Sequence, residues 1–135
     1  MTGRQDVGDA ADRFYAALNR LFAGDAQPMK DAWSHADDIT YMGPSGLYLV
    51  GWQQIEQEWD AQAAALLGGR VTPQNLHVVV GADLAVITCV EAGENVVDGR
   101  TETVRIRSST VFRKEVGGWK VIGHQTDLLG FLSPS

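Results

Sequence analysis

The second half of the chain constrains the fold most, because four strand-like segments follow one another with only tight turns between them. Alternating and β-branched residues mark these segments at residues 71–80, 84–97, 101–114 and 119–128. Asp98-Gly99, between the middle two segments, is a strong hairpin signal. Strands joined by such short turns pair antiparallel with their neighbours. The sequence therefore predicts an antiparallel meander.

The first half of the chain is predicted to be mainly helical. Apolar residues recur at helical spacing, and turn residues separate the segments, which gives helices at 9–22, 28–34 and 51–67, a short strand at 39–42 and an extended segment at 47–50. This order predicts an α+β fold, in which a curved antiparallel sheet wraps around the N-terminal helices and leaves a pocket at its open end. We expect a single domain over residues 1–135, with an ordered core at about residues 9–129.

Composition excludes several classes of partner. The net charge of −6 argues against binding to nucleic acid or to an anionic membrane surface, since both require a basic face. Cys89 is the only cysteine, so no intrachain disulfide can form, and its apolar neighbours favour a buried structural thiol. The N-terminal residues lack the apolar core of a signal peptide, and no apolar run is long enough to span a bilayer. These features predict a cytoplasmic protein.

Motifs for cofactor and metal chemistry are absent from the sequence. There is neither a glycine-rich phosphate-binding loop nor a Gly-x-Ser-x-Gly nucleophile elbow. The three histidines, His35, His77 and His124, lack the spacing of a helical metal site. We therefore predict neither a cofactor nor a bound metal.

Three residues are candidates for acid–base chemistry. His35 or His124 could act as the acid or base, with Tyr41 as a hydrogen-bond donor. His35 could instead be a surface residue at a helix end. In the last strand, alternation places Gln125 and Asp127 on one face and His124 on the other. This polar cluster could line a pocket mouth or mark the rim of a dimer.

Aromatic and charged residues supply the remaining pocket candidates. Trp33, Trp52 and Trp59 could be core residues or could line an apolar pocket. A hairpin centred near residues 98–99 places Glu91 near Arg105 or Arg107. A solvated outer face is the favoured interpretation of this charged group. If the face were concave, an arginine could hold an anionic substrate group.

Several segments together resemble a known family. The residues Trp-Ser-His-Ala-Asp-Asp-Ile-Thr-Tyr-Met-Gly-Pro at 33–44, then Gly51-Trp52 and the final Gly-Trp-Lys-Val at 118–121, are similar to SnoaL-like and ketosteroid-isomerase-like proteins of the nuclear-transport-factor-2-like superfamily. The resemblance extends over about residues 14–129. It implies a cone-shaped, cystatin-like α+β barrel and a homodimer packed through the sheet. Such proteins include isomerases, polyketide cyclases, dehydratases and modules without catalysis.

The chain departs from the steroid isomerases at the position of the catalytic base. The resemblance implies an acidic residue immediately before Pro44, but Gly43 stands there and cannot move a proton. Tyr15 lies near the isomerase helix tyrosine, offset by about two residues, and is included among the pocket candidates. We therefore expect a small-molecule-binding protein that could catalyse isomerase-, cyclase- or lyase-type proton transfer on an apolar substrate. The alternative is a non-catalytic ligand-binding or dimeric assembly module.

Overall fold

The computed structural model describes residues 3–132, so the predicted domain limits at residues 1 and 135 lie outside the described part. Its elements, in chain order, are α1 (Gly3–Phe22), α2 (Gln27–Ala32), β1 (Thr40–Met42), β2 (Tyr48–Val50), α3 (Trp52–Ala65), β3 (Arg70–Val80), β4 (Leu84–Val97), β5 (Arg100–Glu115) and β6 (Gly118–Thr126). The predicted α+β class is confirmed. Helix α1 starts earlier than predicted, because the buried Val7 extends its apolar stripe beyond the predicted start at residue 9.

The sheet is six-stranded, curved and unclosed, with the strand order β2-β1-β6-β5-β4-β3. Strands β3 to β6 form the predicted antiparallel meander. Strand β1, however, pairs in parallel with β6, which corrects the expectation of a wholly antiparallel sheet. No hairpin joins these two strands, so chain connectivity does not force them to run in opposite directions. Because β2 and β3 are separate edges, the fold is an open cone.

The helices fill the concave side of the sheet. Phe14 of α1, Trp59 of α3 and Phe112 of β5 are almost completely buried there, together with Trp33. The Trp33 and Trp59 rings lie 5.4 Å apart, centroid to centroid. Burial of such large apolar side chains contributes about 1.5–3 kcal/mol each to folding. Within residues 3–132, no helix combines the length and the apolar character needed to cross a membrane.

The approach of β3 to β4 depends on glycine. Gly69, just before β3, has a φ of +83°, which L-residues with a side chain rarely adopt. A Cβ atom at this position would also collide with the carbonyl oxygen of Glu94. Gly93 mirrors this arrangement, because its Cβ would collide with the carbonyl oxygen of Arg70. A side chain at either position would therefore separate the two strands.

We predict that Gly69→Ala lowers the free energy of unfolding by about 3 kcal/mol, because backbone strain and the collision with Glu94 add together. Gly99→Ala is the matched control, since Gly99 has a similar φ of +76° but open space around its Cβ position. Strain alone should cost this variant about 1 kcal/mol. Urea unfolding of both variants measures the difference, and equal losses would contradict the steric argument.

Candidate functional site

A cavity of about 160 Å³ lies between α1, α3 and the concave side of the sheet. Its wall is mostly apolar and includes the aromatic rings of Phe14, Phe22, Tyr41 and Trp59. The polar groups in the wall are few: they include Glu58, Gln62, Glu91, Asn95 and His124. A mainly apolar wall with a small number of polar side chains is typical of small-molecule sites.

Glu91 and His124 form a buried pair in this wall. Their side chains are only 5% and 6% exposed, and His124 Nε2 lies 3.3 Å from Glu91 Oε2. Glu91 comes from β4 and His124 from β6, with β5 between them. Thr110 of β5 contacts the other ring nitrogen, with its hydroxyl oxygen 2.8 Å from Nδ1. Partners on both nitrogens fix the orientation of the imidazole ring.

Tyr15 holds Glu91 from the side of helix α1. Its hydroxyl donates a hydrogen bond to Glu91 Oε2 at 2.9 Å. The Cys89 thiol and the Ser108 hydroxyl lie 3.1 Å and 3.3 Å from the same phenolic oxygen. Burial, followed by the charge of Glu91, raises the pKa of Tyr15 above its ordinary value. Tyr15 therefore stays protonated and acts as a donor to the carboxylate.

The surroundings of Glu91 favour its ionised form. Burial by itself would raise the pKa of this carboxyl group. The hydrogen bond and charge of His124, with hydrogen bonds from Tyr15 and Ser108, outweigh burial and hold the pKa below its ordinary value. The cavity wall thus contains a carboxylate that can accept a proton, beside an imidazole that can pass one on.

Tyr41 lies on the same wall. Its ring is parallel to that of His124, with centroids 6.3 Å apart, and its hydroxyl accepts a hydrogen bond of 3.2 Å from Gln62 Nε2. Burial raises the pKa of Tyr41; the Gln62 hydrogen bond opposes this, and the charges of Glu58 and Glu91 add to it. Tyr41 therefore stays protonated, and its hydroxyl can donate a hydrogen bond to a bound molecule.

The position of Tyr41 explains the glycine at residue 43. A Cβ atom built on Gly43 would collide with the Tyr41 hydroxyl and ring. No side chain, acidic or otherwise, can occupy residue 43 while the Tyr41 ring lies in this place. The Tyr41 phenol therefore fills the space in which the resemblance implies the side chain of the catalytic base.

Of the predicted site residues, Tyr41, Trp59, Glu91 and His124 line the cavity. Tyr15 and Trp33 are buried behind the wall, where Tyr15 contacts Glu91 and Trp33 packs against Tyr41 and Trp59.

His35 and Trp52 lie outside the cavity. The structure agrees with the alternative interpretations, a surface position for His35 and packing against the core for Trp52. Their rings stack on each other at 3.9 Å, and His35 Nε2 lies 2.8 Å from the carbonyl oxygen of Lys30. Trp52, the first residue of α3, is half-buried against the core, and its ring covers one face of the exposed His35.

The arginine candidates and two of their neighbours also lie outside the cavity. Arg105 and Arg107 pair across the hairpin with Ala92 and Val90, so they project from the outer face, whereas Glu91 pairs with Ile106 and projects inward. Arg107 holds Asp127 through two hydrogen bonds of 2.9 Å and 3.0 Å, which lower the pKa of Asp127 to about 2. Gln125 is exposed. The interpretation of a solvated outer face is thus correct for the arginines and wrong for Glu91.

Sequence reasoning missed Glu58, Gln62 and Asn95 as cavity residues. Glu58 lines the cavity and accepts a 2.6 Å hydrogen bond from Gln62 Nε2. The spacing of four residues on α3 was the available signal, since such side chains are neighbours on a helix. Asn95 lies on the same face of β4 as Glu91, four residues further along.

Two further observations concern bound groups. Among residues 3–132, no group of three or more histidine, cysteine or acidic side chains is arranged to hold a metal ion. In the same part of the chain, the indole nitrogen of Trp59 and the hydroxyl of Thr126 are buried without a hydrogen-bond partner, and both residues line the cavity. Unpartnered buried polar atoms are uncommon in folded proteins and require an explanation.

The profile of the SnoaL-like domain matches residues 7–126. The chain belongs to the SnoaL-like family. No curated protein matches the chain significantly.

Three solved structures show how widely this fold is used. A protein of Streptomyces avermitilis, provisionally named as a dehydratase of the NTF2-like family, shares 22% identity and a TM-score of 0.81, over 93% of this chain and 95% of that one. A Thiobacillus denitrificans protein is provisionally named as a calcium/calmodulin-dependent protein kinase type II association domain. It shares 23% identity and a TM-score of 0.76, over 90% of this chain and 94% of that one. An NTF2-like protein of cystatin-like fold from Novosphingobium aromaticivorans shares 19% identity and a TM-score of 0.68, over 94% of this chain and 86% of that one. At such identities the similarity establishes the fold alone.

We predict that Tyr15→Phe raises the pKa of Glu91, because the variant keeps the ring but removes a hydrogen bond that favours the carboxylate. NMR titration of protein labelled with ¹³C at the glutamate carboxyl carbon measures this pKa directly. Tyr48→Phe is the matched control, since Tyr48 is exposed. An unchanged Glu91 titration in Tyr15→Phe would show that the hydrogen bond does not favour the ionised form.

Proposed function

We propose that the cavity binds a small, largely apolar molecule and that Glu91 transfers a proton to or from it. The observation that carries this proposal is the buried Glu91–His124 pair in an otherwise apolar cavity wall. The Glu91 carboxylate is ionised and is shielded from water, so it can accept a proton from a bound molecule without competition from solvent. The cavity volume of about 160 Å³ suits a single ring and is too small for a four-ring steroid.

The proposed reaction begins at a C–H bond next to a carbonyl group. Glu91 takes the proton, and the electron pair of the C–H bond moves into the carbonyl to give an enolate. The Tyr41 hydroxyl, which lines the same wall, donates a hydrogen bond to the enolate oxygen. Where a second double bond is conjugated with the enolate, return of the proton to its far carbon isomerises the substrate. Where the β-carbon carries a leaving group, its departure with the electron pair of its bond completes a lyase reaction. Glu91 holds the proton between the two steps, and the hydrogen bond from His124 keeps the carboxyl group in place.

Exchange of carbon-bound hydrogen tests this proposal without knowledge of the natural substrate. We expect the protein to accelerate deuterium incorporation from D₂O next to the carbonyl of cyclohexanone, a one-ring ketone, as followed by NMR. Glu91→Gln should reduce the protein-dependent rate by about 10²–10⁴-fold, the usual contribution of a general base. His124→Ala should also reduce it.

His35→Ala is the matched control for the exchange experiment, because His35 lies outside the cavity and should leave the rate unchanged. Equal exchange by wild type and Glu91→Gln would refute the role of Glu91.

A non-catalytic binding module is the second candidate function. The observation that favours it is the enclosure of Glu91 by Tyr15, His124 and Ser108, a network that would also hold a purely structural carboxylate. The Thiobacillus relative named as an association domain illustrates such a use of the fold. Binding of cyclohexanone without any exchange would favour this candidate.

We also propose self-association through the outer face of the sheet. Val79, Val86 and Val111 lie side by side across β3, β4 and β5, and Val79 and Val86 are 56% and 36% exposed. An apolar row of this kind on a solvent-facing sheet suits pairing with a second copy of the chain.

A cytoplasmic location stays a prediction.

Native mass spectrometry tests the dimer. We expect wild type to be dimeric and Val86→Lys to be largely monomeric, because a lysine would place a charge within the apolar row. Val116→Lys is the matched control, since Val116 is fully exposed in the turn between β5 and β6. A monomeric wild type would contradict the proposed interface.

A further inference from the structure

The cavity wall contains more acidic than basic side chains. Among the described residues that line it, Glu58 and Glu91 carry carboxylates, whereas no lysine or arginine is present. His124 is the single ionisable group in that wall that can carry a positive charge, and it is already paired with Glu91. The wall therefore carries at least one negative charge that no group in it balances.

Two arginines of β5, Arg107 and Arg113, do not balance this charge. Arg107 lies on the outer face and is held by Asp127. Arg113 is bound to Asp38 and Glu115, with contacts of 2.8 Å and 3.1 Å. Neither arginine lines the cavity. An anionic ligand would thus find no partner for its charge inside the cone.

The energetic consequence for an anion is large. A carboxylate or phosphate group must lose its hydration on entry, and that loss is repaid only by a cation or by several hydrogen-bond donors. Here it would instead meet the negative field of Glu91 and Glu58 at short range, in surroundings that screen charge poorly. A neutral ring does not incur this repulsion. A cationic ring gains attraction from the carboxylates and from the faces of Tyr41 and Trp59.

We infer that the cavity selects its ligand by charge: it admits a neutral or cationic one-ring molecule and excludes carboxylates and phosphates. The inference rests on the proposed function of the cavity as a ligand site. It narrows that function, because acid substrates and phosphorylated substrates fall outside the class that the site accepts.

Three compounds of nearly equal size separate the effect of charge from that of shape. Benzyl alcohol is neutral, benzylamine is cationic and benzoate is anionic near neutral pH. Titration of ¹⁵N-labelled protein with each compound, followed by NMR, gives the affinities and locates the perturbed residues. We expect benzyl alcohol and benzylamine to shift resonances of cavity residues, and benzoate to bind at least about tenfold more weakly than benzyl alcohol.

Two variants of β4 test the origin of this selectivity. Glu91→Gln removes a charge from the cavity wall and should narrow the affinity ratio between benzyl alcohol and benzoate. Glu94→Gln removes a charge from an exposed position outside the cavity and should leave the ratio unchanged.

The possible outcomes separate this inference from the proposed function. Benzoate that binds as tightly as benzyl alcohol, at cavity residues, would overturn the charge selection and leave the cavity established as a ligand site. Failure of all three compounds to perturb cavity residues would overturn the proposed ligand site and, with it, the inference. An unchanged ratio in Glu91→Gln would refute the role given to that carboxylate.

Discussion

The pairing of β4 with β5 decides what lies inside the cone and what lies outside. The two strands pair without interruption from Leu84 opposite Arg113 to Val97 opposite Arg100. Since successive side chains in a strand point to opposite faces, this register directs Glu91 into the concavity. It also places Ser108 opposite Cys89, and so brings donors to the carboxylate. A slip of one residue would reverse every side chain, and would place the arginines of β5 inside.

The sequence was informative about this part of the fold because long alternating segments and short turns leave few alternatives. Asp98-Gly99 predicts a two-residue turn, and in the structure this turn pairs Val97 with Arg100. Counting back from this turn places Glu91 opposite Ile106. The expectation of an arginine partner was therefore wrong by one residue. The apolar Ile106 could have indicated that Glu91 belongs to the buried face, since cross-strand partners share a face.

The inward orientation of His124 could not be obtained from alternation alone. Trp119 and Val121 are buried, so simple alternation along β6 would direct Gly123 and Gln125 inward and His124 outward. The structure instead has a register shift between Val111 and Phe112, which adds one residue to β6 at this point. Such a bulge re-aims the side chains that follow it. His124 consequently faces Glu91. The isolated Gly123, next to the extra residue Ile122, is the sequence signal that could have indicated the shift.

The proposed acid–base site differs in its residues from the site that the resemblance implies. The resemblance to steroid isomerases implies a base immediately before Pro44, at the end of β1. Here the Tyr41 ring fills the space beside Gly43, so a carboxylate cannot be placed there. Glu91 supplies a carboxylate from β4 to the same cavity, and His124 and Tyr15 favour its ionised form. Because every strand of the curved sheet directs alternate residues toward one enclosed space, a carboxylate lost from one strand can be replaced from another.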